Sequence, residues 1–174
     1  YSKKQFKSLN CSKSNTDKNS LVYKNRNFAL KKLGLNKKKL VLVKQTHSSK
    51  VIIINKINQD KKIEADGIIT SLDNIVIGIL TADCAPIFIY DKQNKYICCI
   101  HSGWKGALNN ISKNAINIFD KCKIKRDNLI AIIGPCLASK NFEVDKNFEK
   151  KFIKKNIKYS KFFKNKNSLK SFFN

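Results

Sequence analysis

The chain has 174 residues, of which 42% are hydrophobic, so it is long enough to bury the core of one domain and too short for several. Its 36 Lys and Arg against 12 Asp and Glu give a net charge of +24, which is typical of proteins that meet nucleic acids or acidic membranes. Yet Arg26 and Arg126 are the only arginines, and no zinc-finger, helix-turn-helix or RNP-like pattern accompanies them. We therefore interpret the charge as a composition bias toward Lys, Asn and Ile, with a non-enzymatic basic binding protein as the rival interpretation.

The sequence shows no targeting or membrane segment. No apolar run reaches the roughly 18 residues that cross a bilayer, and no signal peptide is visible. Cys98 and Cys99 are adjacent in a strand-like run and should point to opposite faces, which makes them poor disulfide partners. We expect a cytoplasmic protein without membrane contact whose cysteines are reduced, namely Cys11, Cys84, Cys98, Cys99, Cys122 and Cys136.

The first half of the chain predicts one helix followed by short strands. Apolar residues at helical spacing predict a helix over 20–35, with Ser20 as its N-cap and Gly34 as its stop. The polar segment 91–95 predicts a hairpin turn. Short runs rich in β-branched residues predict strands over 40–44, 50–55, 76–80, 87–90 and 96–100.

The second half predicts two further helices and one strand. Leu108, Ile111, Ala115 and Phe119 fall at helical spacing, so a helix should follow Gly106 and end near 120–123. A strand is predicted over 129–133. A last helix is predicted over 142–153, and the tail beyond it is basic and aromatic.

Three of the strand-like runs lead to a metal-binding or nucleophilic side chain. The runs end on His47, on Asp83 and Cys84, and on His101, and the two histidines are the only ones in the sequence. Functional side chains often lie in the loops at strand ends. A catalytic zinc ion takes three protein ligands and keeps a fourth position for water, and two His with one Cys are accepted ligand types. The pattern therefore indicates a zinc site, although each histidine alone would more often be structural.

The same residues permit other interpretations. Cys84 beside a histidine would also serve as the nucleophile of a hydrolase. Alternatively, Cys84 is simply a small apolar side chain in the core. Asp66 and Asp83 would orient a ligand histidine or act as general base, and an Asp in a turn is also an ordinary capping residue. Backbone amides near Gly103, with the charge of Lys105, would hold a phosphate. A glycine at such a corner more often serves only to permit the backbone conformation of the turn.

A series of short motifs runs in order from about residue 6 to residue 145. They are Ser8-Leu-Asn10, Asn25-Arg26, Gln45-Thr-His47, Ala65-Asp-Gly67 with Thr70, Thr81-Ala-Asp-Cys84 with Pro86, His101-Ser-Gly-Trp-Lys-Gly106, Ile133-Gly-Pro-Cys136 and Phe142-Glu-Val144. Together these motifs resemble the multicopper polyphenol oxidoreductase (laccase-domain) family, whose members are also described as purine nucleoside phosphorylases.

The resemblance implies an α+β fold, a layered sandwich of mixed β-sheets flanked by helices, in a single domain over residues 1–174. It implies a zinc ion, or alternatively a copper ion, held by His47, Cys84 and His101. The implied activity is phosphorolysis of adenosine, inosine and S-methyl-5′-thioadenosine, with adenosine deamination at the same site. The expected partners are a purine nucleoside and inorganic phosphate, without a specific nucleic acid, in a monomer or weak homo-oligomer.

The resemblance also suggests residue roles and alternative activities. The older family name implies copper-dependent oxidation of phenols. A similar fold in a bacterial toxin deamidase keeps a Cys-His hydrolase open, and editing of peptidoglycan precursors is a further alternative. We expect catalytic roles for Cys84, His101 and Asp83, and substrate-binding roles for Gln45, Asp66, Gly103 and Lys105.

The sequence departs from the family pattern in three places. Family members normally have a Ser-x-Arg-x-Gly segment before the position of Tyr1, and Cys-Thr and Arg-rich signatures beyond that of Asn174. Lys105 stands where arginine is commoner. We therefore expect an incomplete domain, truncated at both ends relative to the family, which holds metal but turns over no substrate if the missing arginines bind phosphate or base.

The interpretation of the charge makes a direct prediction. Because scattered lysines neutralise phosphates without reading base edges, binding to duplex DNA should be weak, independent of sequence and steeply reduced by salt. Fluorescence anisotropy with two unrelated duplexes over a salt series measures all three properties. Tight binding to only one of the duplexes at physiological salt would instead support the basic binding protein.

Overall fold

The computed structural model describes residues 1–13, 15–56, 63–93, 95–165 and 169–173. None of the helices in these ranges is long and apolar enough to cross a membrane. The helices are α1 (Asn19–Lys32), α2 (Trp104–Leu108), α3 (Ile111–Lys121) and α4 (Lys146–Lys155). The strands are β1 (Lys39–Leu42), β2 (Val51–Ile54), β3 (Gly67–Thr70), β4 (Ile75–Gly78), β5 (Ala85–Asp91), β6 (Ile97–Ser102), β7 (Leu129–Ile133), β8 (Glu143–Asp145), β9 (Phe163–Asn165) and β10 (Lys170–Phe173).

A five-stranded mixed sheet in the order β2-β3-β6-β5-β7 forms the centre of the fold. Strands β5 and β6 form the predicted hairpin, in a register that places Pro86 opposite His101. At the turn, the buried carboxylate of Asp91 accepts hydrogen bonds from the amides of Gln93 and Lys95, while residue 94 of the predicted turn lies outside the described residues. Strands β3 and β7 flank the hairpin in antiparallel pairing, and β2 is parallel to β3.

Helix α3 covers one face of this sheet. Ile111, Ala115 and Phe119 recur at helical spacing and are fully buried, so they form a single apolar stripe. The predicted helix after Gly106 is interrupted, because Asn110 takes a φ of 58° that a right-handed helix does not allow. The core on this face consists of Ile69, Ile89, Cys98, Ile100, Ile111, Ala115, Phe119 and Ile124.

A two-stranded parallel sheet of β1 and β4 lies over the opposite face. Cys98 and Cys99 belong to the cores on the two different faces, as the alternation along a strand predicted, and all six cysteines are free thiols. The layers are therefore helix, five-stranded sheet and two-stranded sheet, which confirms the predicted α+β layered sandwich. The second core consists of Ile54, Ile68, Ile75 and Cys99, with partly buried Val41, Val43, Ile52, Leu72, Ile77 and Ile79 around it.

The C-terminal part adds a three-stranded sheet in the order β8-β10-β9. Phe148 and Phe152 of α4 contact Phe163 and Phe173 of this sheet. They also contact Trp104 of α2, with ring centroids 5.0 Å and 6.2 Å apart. This aromatic cluster joins the basic tail to the segment that follows β6.

Two predicted helix boundaries were wrong. The helix predicted over 142–153 begins at Lys146, because the residues before it form β8 and the Asp145 carboxylate accepts a hydrogen bond from the amide of Phe148 at 2.7 Å as an N-cap. The first helix follows Lys18 rather than Ser20, so Ser20 is not its N-cap. Gly34, with a φ of 70°, follows the last helical turn as predicted.

The core under α3 should be sensitive to the shortening of its buried side chains. Replacing the fully buried Phe119 by alanine should lower the free energy of unfolding by about 3–5 kcal/mol, because the large side chain leaves a cavity. Urea denaturation measures the change. The matched control is Ile132→Ala, at a side chain 53% exposed, and an equal loss in both variants would contradict this account of the core.

Candidate metal centre

One end of the central sheet gathers the residues that the motifs singled out. Strands β3 and β5 begin there and the antiparallel β6 ends there, so Asp66, Cys84 and His101 are neighbours across adjacent strands. The amide of His101 donates to the backbone carbonyl of Asp66 at 2.7 Å. The loop after β1 brings His47 to the same end. The site is thus built by strand register, which sequence spacing alone does not reveal.

His47, Cys84 and His101 form one cluster. Their ligand atoms, one from each residue, all lie within 4.8 Å of one another. The two imidazole rings are nearly perpendicular, with an interplanar angle of 81° and centroids 4.7 Å apart. His101 is buried, Cys84 is half-buried and His47 is exposed, so the cluster has a closed side against the sheet and an open side toward solvent.

The buried carboxylate of Asp66 fixes the His47 loop. It accepts hydrogen bonds from the amides of Thr46, His47 and Ser48, at 3.2, 3.0 and 2.6 Å, and from the hydroxyl of Ser48 at 2.7 Å. His47 itself has a φ of 56°, in the left-handed region that few non-glycine residues adopt. The converging amides on the carboxylate hold the loop in this conformation.

The same carboxylate also orients His101. Nδ1 of His101 lies 2.8 Å from Oδ1 of Asp66, and both side chains are buried. Burial by itself raises the pKa of Asp66, but the hydrogen bonds from His101, Ser48 and the loop amides outweigh it and leave this pKa below its ordinary value. We therefore assign the ring proton to Nδ1, which leaves Nε2 of His101 as the ligand atom.

The thiol of Cys84 lies in a setting that disfavours a free thiolate. Burial raises its pKa, and the negative charges of Asp83 and Asp66 raise it further. A metal cation bonded to Sγ acts in the opposite direction, because a coordinating thiol loses its proton. The surroundings of Cys84 therefore suit a metal ligand better than a metal-free nucleophile.

Two glycines leave room for the cluster. A Cβ atom at Gly103 would lie 3.0 Å from Cδ2 of His47 and 3.2 Å from Sγ of Cys84. A Cβ atom at Gly106 would lie 3.0 Å from the backbone carbonyl of Ser48. All three contacts are tighter than a Cβ atom normally makes, so the His47 loop packs directly on the backbone after β6.

The other residues with predicted roles surround the cluster in different ways. The side-chain amide of Gln45 exchanges two hydrogen bonds of 2.7 Å with the backbone of Leu80 and so joins the ends of β1 and β4. Asp83 is exposed next to Cys84. Lys105 is exposed on α2, with its Nζ 5.5 Å from the centroid of the Trp104 ring. Catalytic and substrate-binding roles for these residues stay predictions.

Two supporting residues were not predicted. The hydroxyl of Ser48 reaches Asp66, and the side-chain amide of Asn114 on α3 donates to the carbonyl of Ser49 at 2.8 Å. Ser48 follows His47 directly, and that adjacency was a usable signal. Asn114 is distant in sequence and carries no signal of its own.

The donor set fits a transition-metal ion. Two imidazole nitrogens and one thiolate are ligands that zinc accepts, and copper also binds imidazole and sulfur. Catalytic zinc sites have three protein ligands and one open position, and this cluster offers three candidate ligands with one open side. Among the described residues one such group is found, which consists of His47, Cys84 and His101. These residues therefore offer a position for one metal ion.

Comparisons with known proteins identify the family and agree with the fold. Residues 1–174 match the family described as multi-copper polyphenol oxidoreductase laccase, and the chain therefore belongs to that family. A purine nucleoside phosphorylase of Rickettsia conorii is 35% identical over 128 residues, which cover 71% of this chain and 50% of the relative. The adenosine deaminase RL5, from an unknown prokaryotic organism, is 33% identical over 120 residues, covering 64% of this chain and 46% of the relative.

Solved structures show the same fold. The crystal structure of YlmD from Geobacillus stearothermophilus superimposes with a TM-score of 0.88 at 18% identity and covers 99% of this chain and 68% of its own. The chain spans about half the length of curated relatives that it matches.

Asp66 provides a test of the site. Asp66→Asn removes the charge that orients His101 and the loop of His47, so metal affinity should fall by about 10- to 100-fold. Competition with a chromogenic chelator measures the affinity for zinc. The matched control is Asp73→Asn, at an exposed carboxylate, which should bind zinc as the parent does. Unchanged affinity in Asp66→Asn would contradict the positioning role.

Proposed function

We propose that this chain is a zinc-dependent purine nucleoside phosphorylase that acts on adenosine, inosine and S-methyl-5′-thioadenosine and also deaminates adenosine. The observation that carries the proposal is the cluster of two imidazoles and one thiol with an open side. The names of two relatives, a purine nucleoside phosphorylase and an adenosine deaminase, support it. The proposed setting is a cytoplasmic monomer or weak homo-oligomer, with zinc preferred over copper as the native metal.

In phosphorolysis, an oxygen of inorganic phosphate forms a bond to the anomeric carbon of ribose while the bond to the purine nitrogen breaks. The products are ribose 1-phosphate and the free purine base. A cation near the site favours bound phosphate, and we assign this role to Lys105 at the start of α2, together with the backbone after Gly103. Gln45 is proposed as a substrate-binding residue through the loop that it joins to Leu80.

In deamination, water replaces the amino group of the purine and ammonia leaves. The bound metal would supply the activation of water near neutral pH. Three residues hold it: His47, Cys84 and His101. Asp66 keeps the proton on Nδ1 of His101 so that Nε2 stays available. The exposed carboxylate of Asp83, next to Cys84, is our candidate for the general base.

The activity test uses the whole chain loaded with zinc. Inosine and inorganic phosphate should yield hypoxanthine and ribose 1-phosphate, which liquid chromatography separates. Cys84→Ala should lose both zinc and turnover, because one of three ligands is removed. Cys122→Ala, at a half-buried thiol outside the cluster, is the matched control and should keep both. A zinc-loaded chain that forms no hypoxanthine would overturn the proposed activity of this chain, and the expectation of a domain that holds metal without turnover would take its place.

A Cys84–His101 hydrolase is the second candidate, because the thiol and the imidazole lie in one cluster. The same preparation separates the two functions by mapping iodoacetamide labelling at Cys84. A metal ligand should be labelled only after a chelator has removed the zinc. Fast labelling of the zinc-loaded chain, with activity that survives the chelator, would establish the hydrolase instead.

A phenol oxidase that uses several copper ions agrees less well with the number of metal ligands in this chain. The sequence has two histidines, and both belong to the one cluster. Further copper ions would need further soft ligands, and the described residues group no other set of His, Cys, Asp and Glu that meets the geometry of a metal site.

A further inference from the structure

Helix α4 runs alongside α2 in the same direction. At the end of α2, Nζ of Lys155 donates hydrogen bonds to the carbonyl of Leu108 at 2.5 Å and to Oδ1 of Asn109 at 2.8 Å. At the start of α2, Nζ of Lys151 lies 5.4 Å from the centroid of the Trp104 ring. The two lysines are four residues apart and therefore share one face of α4, so this face follows α2 from one end to the other.

The two lysines of this face differ in their partners. Lys155 is bonded to the last turn of α2, where a basic side chain satisfies the free carbonyls of a helix end. Lys151 is exposed and forms no ion pair with a carboxylate of the described residues. The ammonium group of Lys155 is thus committed to the fold, whereas that of Lys151 is available to an anion.

A second ammonium group approaches the same ring. Nζ of Lys105 lies 5.5 Å from the centroid of Trp104, and within the described ranges this lysine also has no carboxylate partner. Lys105 belongs to α2 and Lys151 to α4, so two separate helices bring one cation each to a single position. Two neighbouring like charges repel each other, and an anion bound by both would replace this repulsion by attraction.

The ring lies next to the candidate metal centre. Trp104 directly follows Gly103. A Cβ atom at Gly103 would lie 3.0 Å from Cδ2 of His47 and 3.2 Å from Sγ of Cys84. The Trp104 ring packs on Phe148 of α4, with centroids 5.0 Å apart, which holds α4 against the segment after β6. The two lysines therefore stand beside the backbone that borders the centre.

We infer that Lys151 of α4 and Lys105 of α2 together bind the phosphate dianion that attacks the nucleoside. The flexible stems of both lysines let their ammonium groups turn from the Trp104 ring to the anion without a movement of the backbone. Charge-assisted hydrogen bonds to phosphate oxygens are stronger than contacts with an aromatic face at an exposed site. The choice of phosphate as the anion rests on the proposed function, whereas the convergence of the two lysines does not.

The chain contains a probe of this position. Trp104 is the single tryptophan in the sequence, so selectively excited tryptophan emission reports on this ring alone. The two ammonium groups act on the π-system of the ring electrostatically. When they turn toward a bound anion, the field at the indole changes, and the emission should change with it.

The experiment titrates inorganic phosphate into the whole chain at constant ionic strength, in exchange for chloride, and follows the emission of Trp104. The parent should show a saturable change. Lys151→Gln and Lys105→Gln should each weaken the affinity for phosphate by about 3- to 10-fold, because one of two charged partners is lost. Lys151→Arg, which keeps the charge, should retain most of the affinity.

The matched control is Lys150→Gln, which removes the same charge from the neighbouring exposed position. It should bind phosphate as the parent does, since a general loss of positive charge is not the cause of the effect. Equilibrium dialysis with radiolabelled phosphate measures the same affinities without fluorescence, and so it also detects binding that leaves the emission unchanged.

Three results would overturn the inference. They are the absence of saturable phosphate binding by the parent in both measurements, parental affinity in Lys151→Gln, and an equal loss in Lys150→Gln. Neither measurement requires zinc or turnover. Phosphate binding that depends on both lysines, in a chain that forms no hypoxanthine, would uphold this inference and reject the proposed activity. Turnover with parental phosphate affinity in Lys151→Gln would do the reverse.

Discussion

The buried carboxylate of Asp66 is the constraint on which the candidate site depends. It binds the backbone of the His47 loop and the imidazole of His101 at the same time. A buried charge is costly unless hydrogen bonds replace its water, and here amides, a hydroxyl and an imidazole do so. The backbone amide of His47 and the ring of His101 both bond to this carboxylate, so one residue positions two candidate ligands from separate parts of the chain. The next residue, Gly67, lets β3 approach β2, because a Cβ there would lie 2.9 Å from Cγ2 of Val51.

The sequence predicted the elements with strong patterns and missed the pairing between them. The hairpin of β5 and β6 and the amphipathic α3 have local signals, namely a turn between two apolar runs and a helical stripe. The segments of β1 and β2 are neighbours in sequence, yet they belong to different sheets, each in parallel pairing with a later strand. Strand β3 was not predicted, because all four of its residues are buried and its sequence shows no alternation. The break at Asn110 depends on one backbone conformation that periodicity cannot report.

The candidate ligands could be chosen from the sequence because their chemistry is rare in this chain. Two histidines and a cysteine before Pro86 stand out against a background of Lys, Asn and Ile. The supporting residues could not be chosen in this way, since Ser, Asn and Gln are common and their roles depend on tertiary contacts. Gln45 shows the difficulty: its side-chain amide is engaged on both sides by the backbone of Leu80. This contact across 35 residues of sequence is visible only in the folded chain.

The arrangement also separates holding a metal from turning over a substrate. His47 comes from a loop that continues the two-stranded layer, whereas Cys84 and His101 come from the central sheet, so an ion bound by all three would connect the two layers. Because the ligand atoms depend on both layers being assembled, metal binding would stabilise the folded chain. All three ligands, with Asp66, lie within residues 47–101, while the chain spans about half the length of its curated relatives. The candidate metal site is therefore contained in this part of the family fold, and residues that would select a substrate need not share the same segment.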